Sequence, residues 1–247
     1  MKEELRWKII AGLILVTLSL SLYLVHYFIF ADAHHLLIFL VGDIAFIPFE
    51  VLIVTLIIDQ MLESREKRQR MEKLNMVIGA FFSTLGTPLL GMLSRSDPDI
   101  HRVQSALASR GAGNDERFAV VKDCLNTHEC TIAAETVDLA ALRELLIRNE
   151  EFLLRIAENP MVFEHDSFTD LLLAVTHLTE ELMARESLAD LPPADIAHLQ
   201  GDMHRVYSHL VPSWASYMEY LKGNYPYLFS LAMRKNPFDP TASVVLH

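Results

Sequence analysis

Residues 9–30 contain no Asp, Glu, Lys or Arg, and residues 36–58 contain only Asp43 and Glu50. Two such runs leave few soluble options, because about 20 consecutive apolar residues cross roughly 30 Å of hydrocarbon as a helix. Trp7–Phe30 and Leu36–Met61 both reach that length. Only Ala31-Asp32-Ala33-His34-His35 separates them, which predicts an antiparallel helical hairpin with spans at 7–30 and 36–61. The competing reading, a signal peptide cleaved at Ala31-Asp32-Ala33, needs an apolar core of about 7–15 residues, and the first run is longer. A second full run also follows it at once.

Lys2, Arg6 and Lys8 precede the first run, and Arg65, Lys67, Arg68, Arg70 and Lys73 follow the second. The linker has no Lys or Arg, so the positive-inside rule predicts a multi-pass protein of the cell membrane with both ends cytoplasmic. The five bases after the second span are suited to anionic headgroups of the lipid bilayer.

Formal net charge is −11, and nearly all charge lies after residue 60. From Asn75 onward acids outnumber bases by ten, which argues against nucleic acid as a partner. Cys124 and Cys130 are the only cysteines, and in a cytoplasmic domain they read as reduced thiols.

The acids inside the second run carry the most functional information. Asp43 and Glu50 are seven residues apart, so they share one helix face. Glu50 falls near the middle of the span, with Asp43 about 10 Å nearer the outside. Pro48 lies between them, removes one backbone donor and predicts a kink or loosened turn. In the first run, Ser19, Tyr23 and His26 share a face, with Thr17 on the opposite side. Pairing about residue 33 sets Tyr23 level with Asp43 and Thr17 level with Glu50. An ionised acid at mid-bilayer costs at least about 2.5–3.5 kcal/mol, and a lone hairpin has no interior to hide it. Homo-oligomerisation is therefore the expectation. Two uses are open: carboxylates lining a path for inorganic cations or protons, or neutral carboxyls joining helices. No selectivity-filter loop is present. Asp32, His34 and His35 are of metal-ligand type, although adjacent solvated loop histidines are the plainer account.

The rest predicts an all-α chain, with residues 1–62 as transmembrane hairpin, 63–95 as juxtamembrane amphipathic helix and 96–247 as cytoplasmic helical bundle. Met71, Leu74, Ile78, Phe81 and Leu85 repeat at threes and fours, either as a short coiled-coil seam or as ordinary core packing. Gly86, Pro88 and Gly91 weaken that helix. Asp97-Pro98 starts another, and Gly111-Ala112-Gly113-Asn114 is a break. Further helices are expected over 138–158, over 167–185, and from Pro193 with a kink at Pro212. Tyr225-Pro226 marks a turn.

Motifs for chemistry are sparse. Cys124-x3-His128-x-Cys130 lacks zinc-site spacing and a fourth ligand. His177-x-x-Glu180-Glu181, with Glu150-Glu151 upstream, is a single reversed copy of the pattern used in di-iron bundles, so a solvated helix face is the plainer reading. His198, His204 and His209 make no His–His pair one turn apart. Phosphate loops of Walker type, G-x-S-x-G and H-E-x-x-H are all missing, so no cofactor is implied and nothing positive marks an enzyme.

The stretch from Arg65-Glu66-Lys67-Arg68 through Lys73-Leu74-Asn75-Met76-Val77-Ile78-Gly79-Ala80-Phe81-Phe82-Ser83, with Tyr225-Pro226-Tyr227-Leu228-Phe229-Ser230 and Asn236-Pro237-Phe238, resembles uncharacterised two-span prokaryotic membrane proteins. That resemblance implies the same architecture and no particular activity, and it assigns no residue a role. Two functions follow from the residues: an oligomeric cation or proton channel with a cytoplasmic regulatory domain, or a membrane-anchored signalling or scaffold module whose acidic bundle binds a protein partner.

Overall fold

Every regular element in the computed structural model, which describes residues 2–107 and 114–245, is helical. The expected break at Gly111-Ala112-Gly113 lies outside the described residues. The chain forms two compact units, Met1–Lys67 and Arg68–His247.

The first unit holds α1 (Lys2–Phe30) and the first part of α2 (Ala33–Phe81). Their connection is tighter than the sequence suggests, because α2 already begins at Ala33. Ala31 turns the chain with a positive φ of 49° while its amide bonds the Tyr27 carbonyl at 2.8 Å. The Asp32 carboxylate accepts the His34 amide at 2.9 Å and so caps the start of α2. The helix then runs through Pro48 without interruption. Both helices are long and apolar enough to cross a membrane, and no residue of either apolar window is buried.

In the second unit, the end of α2 enters a core. Leu74, Ile78, Phe81 and Leu85 are buried and only Met71 of that stripe is exposed, so the repeat serves core packing. Residues Phe82–Gly86 form a π-helical turn before α3 (Thr87–Ser94). Around them lie α4 (Ile100–Leu107), α5 (Asn114–Thr127), α6 (Leu139–Arg148), α7 (Glu150–Ala157), α8 (Asp166–Met183), α9 (Pro193–Asn224) and α10 (Pro226–Arg234).

Helix α9 is the centre of this unit, burying Met203, Val206, Tyr207, Leu210, Trp214 and Met218 along one side. It continues unbroken through Pro212. The expected single helix over 138–158 is instead two. Asn149 leaves helical geometry (φ −108°, ψ 8°) and its side chain bonds the Leu145 carbonyl at 2.8 Å, ending α6 from within. Aromatic contacts fasten the ends of the core: Phe81 meets Phe168 edge-on, Phe82 stacks on Tyr217, and Trp214 meets Phe238 of the C-terminal segment.

The π turn explains one glycine. A Cβ on Gly86 would stand 2.7 Å from ring atoms of both Phe81 and Phe82, so one of these buried rings or the turn itself must shift to admit it. Gly86→Ala should therefore destabilise the bundle by about 1–3 kcal/mol through overpacking. A shift of the denaturation midpoint followed by tryptophan fluorescence measures this, and an unchanged midpoint contradicts it.

Candidate functional sites in the hairpin and the bundle

In the hairpin, α1 and α2 bring Tyr23 to Asp43, with the phenol donating to a carboxylate oxygen at 2.8 Å. Ser19, Tyr23, His26 and Asp43 border one open hollow of about 390 Å³, lined also by Leu22, Leu36 and Phe39. Thus four polar residues of the expected set converge. Glu50 does not join them: it is exposed, and no described side chain hydrogen-bonds it. Thr17 is turned inward to its own helix, donating to the Leu13 carbonyl at 2.7 Å. Asp32 serves as the cap described above; His34 is exposed and the His35 side chain lies outside the described residues.

Of the basic residues beyond the apolar run, Arg68 pairs with Glu72 at 3.1 Å and Arg70 with Glu164 at 3.6 Å. These pairs are largely solvated and each contributes little to stability. Arg65, Lys67 and Lys73 stand on exposed turns of α2.

In the bundle, the Cys124–His128–Cys130 group does not gather around a metal-sized gap. His128 instead bonds Asp97 at 2.5 Å with both side chains buried, and Thr131 donates to the other Asp97 oxygen at 3.2 Å. Asp97 starts no helix of its own; α4 begins at Ile100, after a turn in which Asp97 also accepts the Asp99 amide. Burial chiefly, and then the charge of Asp97, pushes the Cys130 thiol up to about 11.

The larger departure from the sequence reading lies between α8 and α9. His177 and Glu181 do not form a plain solvated face. They meet His198 and Asp202 from α9, and one ligand atom from each of the four lies within 4.8 Å of the others. Among the described residues no other group of three or more His, Cys, Asp or Glu side chains converges in this way. Glu180 points elsewhere, sharing a surface hollow with Glu150 of α7. The sequence signal was present as two i, i+4 pairs, His177/Glu181 and His198/Asp202, and a search for His–His or Cys–Cys spacing passes over it. Beside the cluster, Arg185 donates to Glu181 at 2.8 Å and to both oxygens of Asp195 at 2.6 and 2.9 Å. Those hydrogen bonds hold the Glu181 and Asp195 carboxyls below the usual carboxylate range.

A separate cavity of about 700 Å³ opens beside the π turn. Phe82, Met92, Trp214 and Tyr217 give it apolar walls, and Arg95 and Lys235 place two cations among its lining.

An apolar two-helix hairpin joined to an all-helical domain is the class of protein that these features define. The chain belongs to the MJ1433 family: residues 2–62 match the family described as MJ1433, N-terminal helical domain, and residues 70–234 match the C-terminal helical domain of Uncharacterized protein MJ1433. Across 243 residues, 98% of both chains, it is 43% identical to Uncharacterized protein MJ1433 of Methanocaldococcus jannaschii. No solved structure matches it.

The Cys130 environment sets a pH dependence. Its folded value of about 11 lies above the ordinary thiol value, so the thiol form is the one that folding favours. This group's contribution to stability is intact below the ordinary value, about 8.5–9, and drains as pH rises towards about 11. Alkylation of native Cys130, followed by mass spectrometry against pH, should inflect near about 11. An inflection at the ordinary thiol value contradicts the assignment.

Proposed function

We propose that this chain is a homo-oligomeric, membrane-anchored binding protein. In this reading the hairpin crosses the cell membrane twice, both ends are cytoplasmic, and the acidic bundle acts there as a signalling or scaffold module. One observation carries it: more than thirty large apolar side chains between Trp7 and Leu62 are exposed, whereas the apolar side chains of the bundle close over a continuous core. Only an apolar phase or other copies of the hairpin can cover such a surface. A linker without Lys or Arg and the bases at both ends support the orientation.

The two intramembrane acids differ in a way that favours anchoring over conduction. Asp43 is tied within its own hairpin by Tyr23. Glu50 has no such partner and is the group that calls for a second copy, through a carboxyl hydrogen bond between α2 helices. The same unpartnered Glu50, together with the polar cavity at Asp43, supports a second reading in which several hairpins enclose a path for cations or protons.

Glu50→Gln keeps hydrogen-bonding capacity and should leave assembly near wild type, whereas Glu50→Leu should weaken it by about 3- to 30-fold, the equivalent of one interhelical hydrogen bond. Oligomer mass in nanodiscs over a dilution series measures this. Equal mass distributions for the wild type and Glu50→Leu contradict a role for Glu50 in assembly. Proteoliposome flux separates the two functions: a cation flux abolished by Asp43→Asn and Glu50→Gln selects the path, and no flux in the parent protein leaves the anchor.

A further inference from the structure

We propose that His177, Glu181, His198 and Asp202 form a four-ligand site for a first-row divalent transition-metal ion of the zinc type, joining α8 to α9. The site lies entirely within the bundle and is independent of what the hairpin does.

The helices supply the arrangement directly. Side chains four apart lie one above the other on a helix, so each helix offers one histidine and one carboxylate on the same stripe. Antiparallel neighbours then match them crosswise, His177 against Asp202 and His198 against Glu181. Each imidazole faces both carboxylates, through a different oxygen of each. His177 Nε2 stands 3.5 Å from Asp202 Oδ1 and 3.9 Å from Glu181 Oε1, and His198 Nε2 stands 3.4 Å from Asp202 Oδ2 and 3.5 Å from Glu181 Oε2.

Those lengths decide between two accounts of the cluster. Charged N–H···O bonds are about 2.7–2.9 Å long, and none of the four distances is that short. Zinc bound at about 2.0–2.1 Å in tetrahedral geometry holds its ligand atoms about 3.3 Å apart, and one atom from each of the four side chains already lies within 4.8 Å of the others. The spacing therefore fits donors separated by an ion better than donors that bond one another.

Asp202 gives an independent sign. Its side chain is 3% exposed, and Oδ2 has no hydrogen-bond donor, an arrangement that costs free energy for a carboxylate. Arg205 reaches only Oδ1, at 3.0 Å, while Oδ2 faces the nitrogen of His198 across the gap. Arg185 occupies Oε2 of Glu181, is retained by Asp195, and leaves Oε1 towards His177. Two imidazoles favour zinc and its neighbours over magnesium or calcium, which take oxygen ligands. Four protein ligands leave no open position, so the site fits a structural or regulatory ion, and the half-exposed histidines give it a route from solvent.

The test uses the full chain, purified in detergent and stripped with a chelator. Zinc chloride is titrated against a chromophoric competitor, and cobalt(II) is added to a parallel sample. One zinc per chain should bind, with the intense visible bands of four-coordinate cobalt. The double substitution His177→Gln/His198→Gln should weaken zinc by more than about 100-fold and abolish those bands, since loss of even a supporting residue costs about 10- to 100-fold. Both histidines are half-exposed, so the metal-free melting temperature should hardly move, which separates lost ligation from lost folding. Replacing His34 and His35 should leave this binding unchanged. Failure of the wild type to bind one equivalent of zinc, or equal affinity in the double variant, overturns the site.

Discussion

The apolar surface of the hairpin is the constraint on which the rest of this molecule depends. More than thirty large side chains there remain exposed. Burying each is worth about 1.5–3 kcal/mol, so leaving them in water forfeits several tens of kcal/mol, against a stability of about 5–15 kcal/mol for an ordinary domain. In the proposed reading the hairpin takes its stability from an apolar surrounding, and its polar groups are handled under those rules. Asp43 receives a phenol, Thr17 and Ser21 turn to carbonyls of their own helix, and the tight connection is closed by Ala31 and the Asp32 cap.

The bundle obeys the opposite rule. Of its helices, α3, α5, α8 and α10 pack directly on α9, whose buried side runs from Leu199 to Leu221. Aromatic rings close both the π turn and the C-terminal segment onto that helix. Packing α8 against α9 sets two histidines and two carboxylates face to face, and the bond between Arg185 and Asp195 holds the connection beside them.

How much of this is legible in the sequence depends on the range of the interaction. The hairpin is written in two uninterrupted apolar runs, and pairing them about a short linker already sets Tyr23 level with Asp43. The all-helical character follows from turn chemistry and periodicity, both local signals. Breaks decided by one side chain are harder: Asn149 interrupts what reads as a single helix because its amide competes for a backbone carbonyl. The α8–α9 cluster is harder still. Each half is an ordinary i, i+4 pair of the kind found on many solvated helices, and only the antiparallel packing of two helices makes four donors of them. Conversely, the tightest cluster in the sequence, Cys124 to Cys130, is resolved by a distant partner, since Asp97 takes His128. The spacing there already argued against zinc, and the tertiary contact to Asp97 accounts for the histidine instead.

Depth in the bilayer is the quantity that tests the central claim most directly. Spin labels placed singly along residues 36–61, in a Cys124→Ser/Cys130→Ser background reconstituted into liposomes, report their collisions with oxygen and with a water-soluble nickel chelate. The account predicts that the ratio of oxygen to nickel collisions rises from His35, peaks close to Glu50 and falls again towards Met61. A flat profile, with nickel reaching the residues around Glu50 as freely as those of the bundle surface, would contradict it.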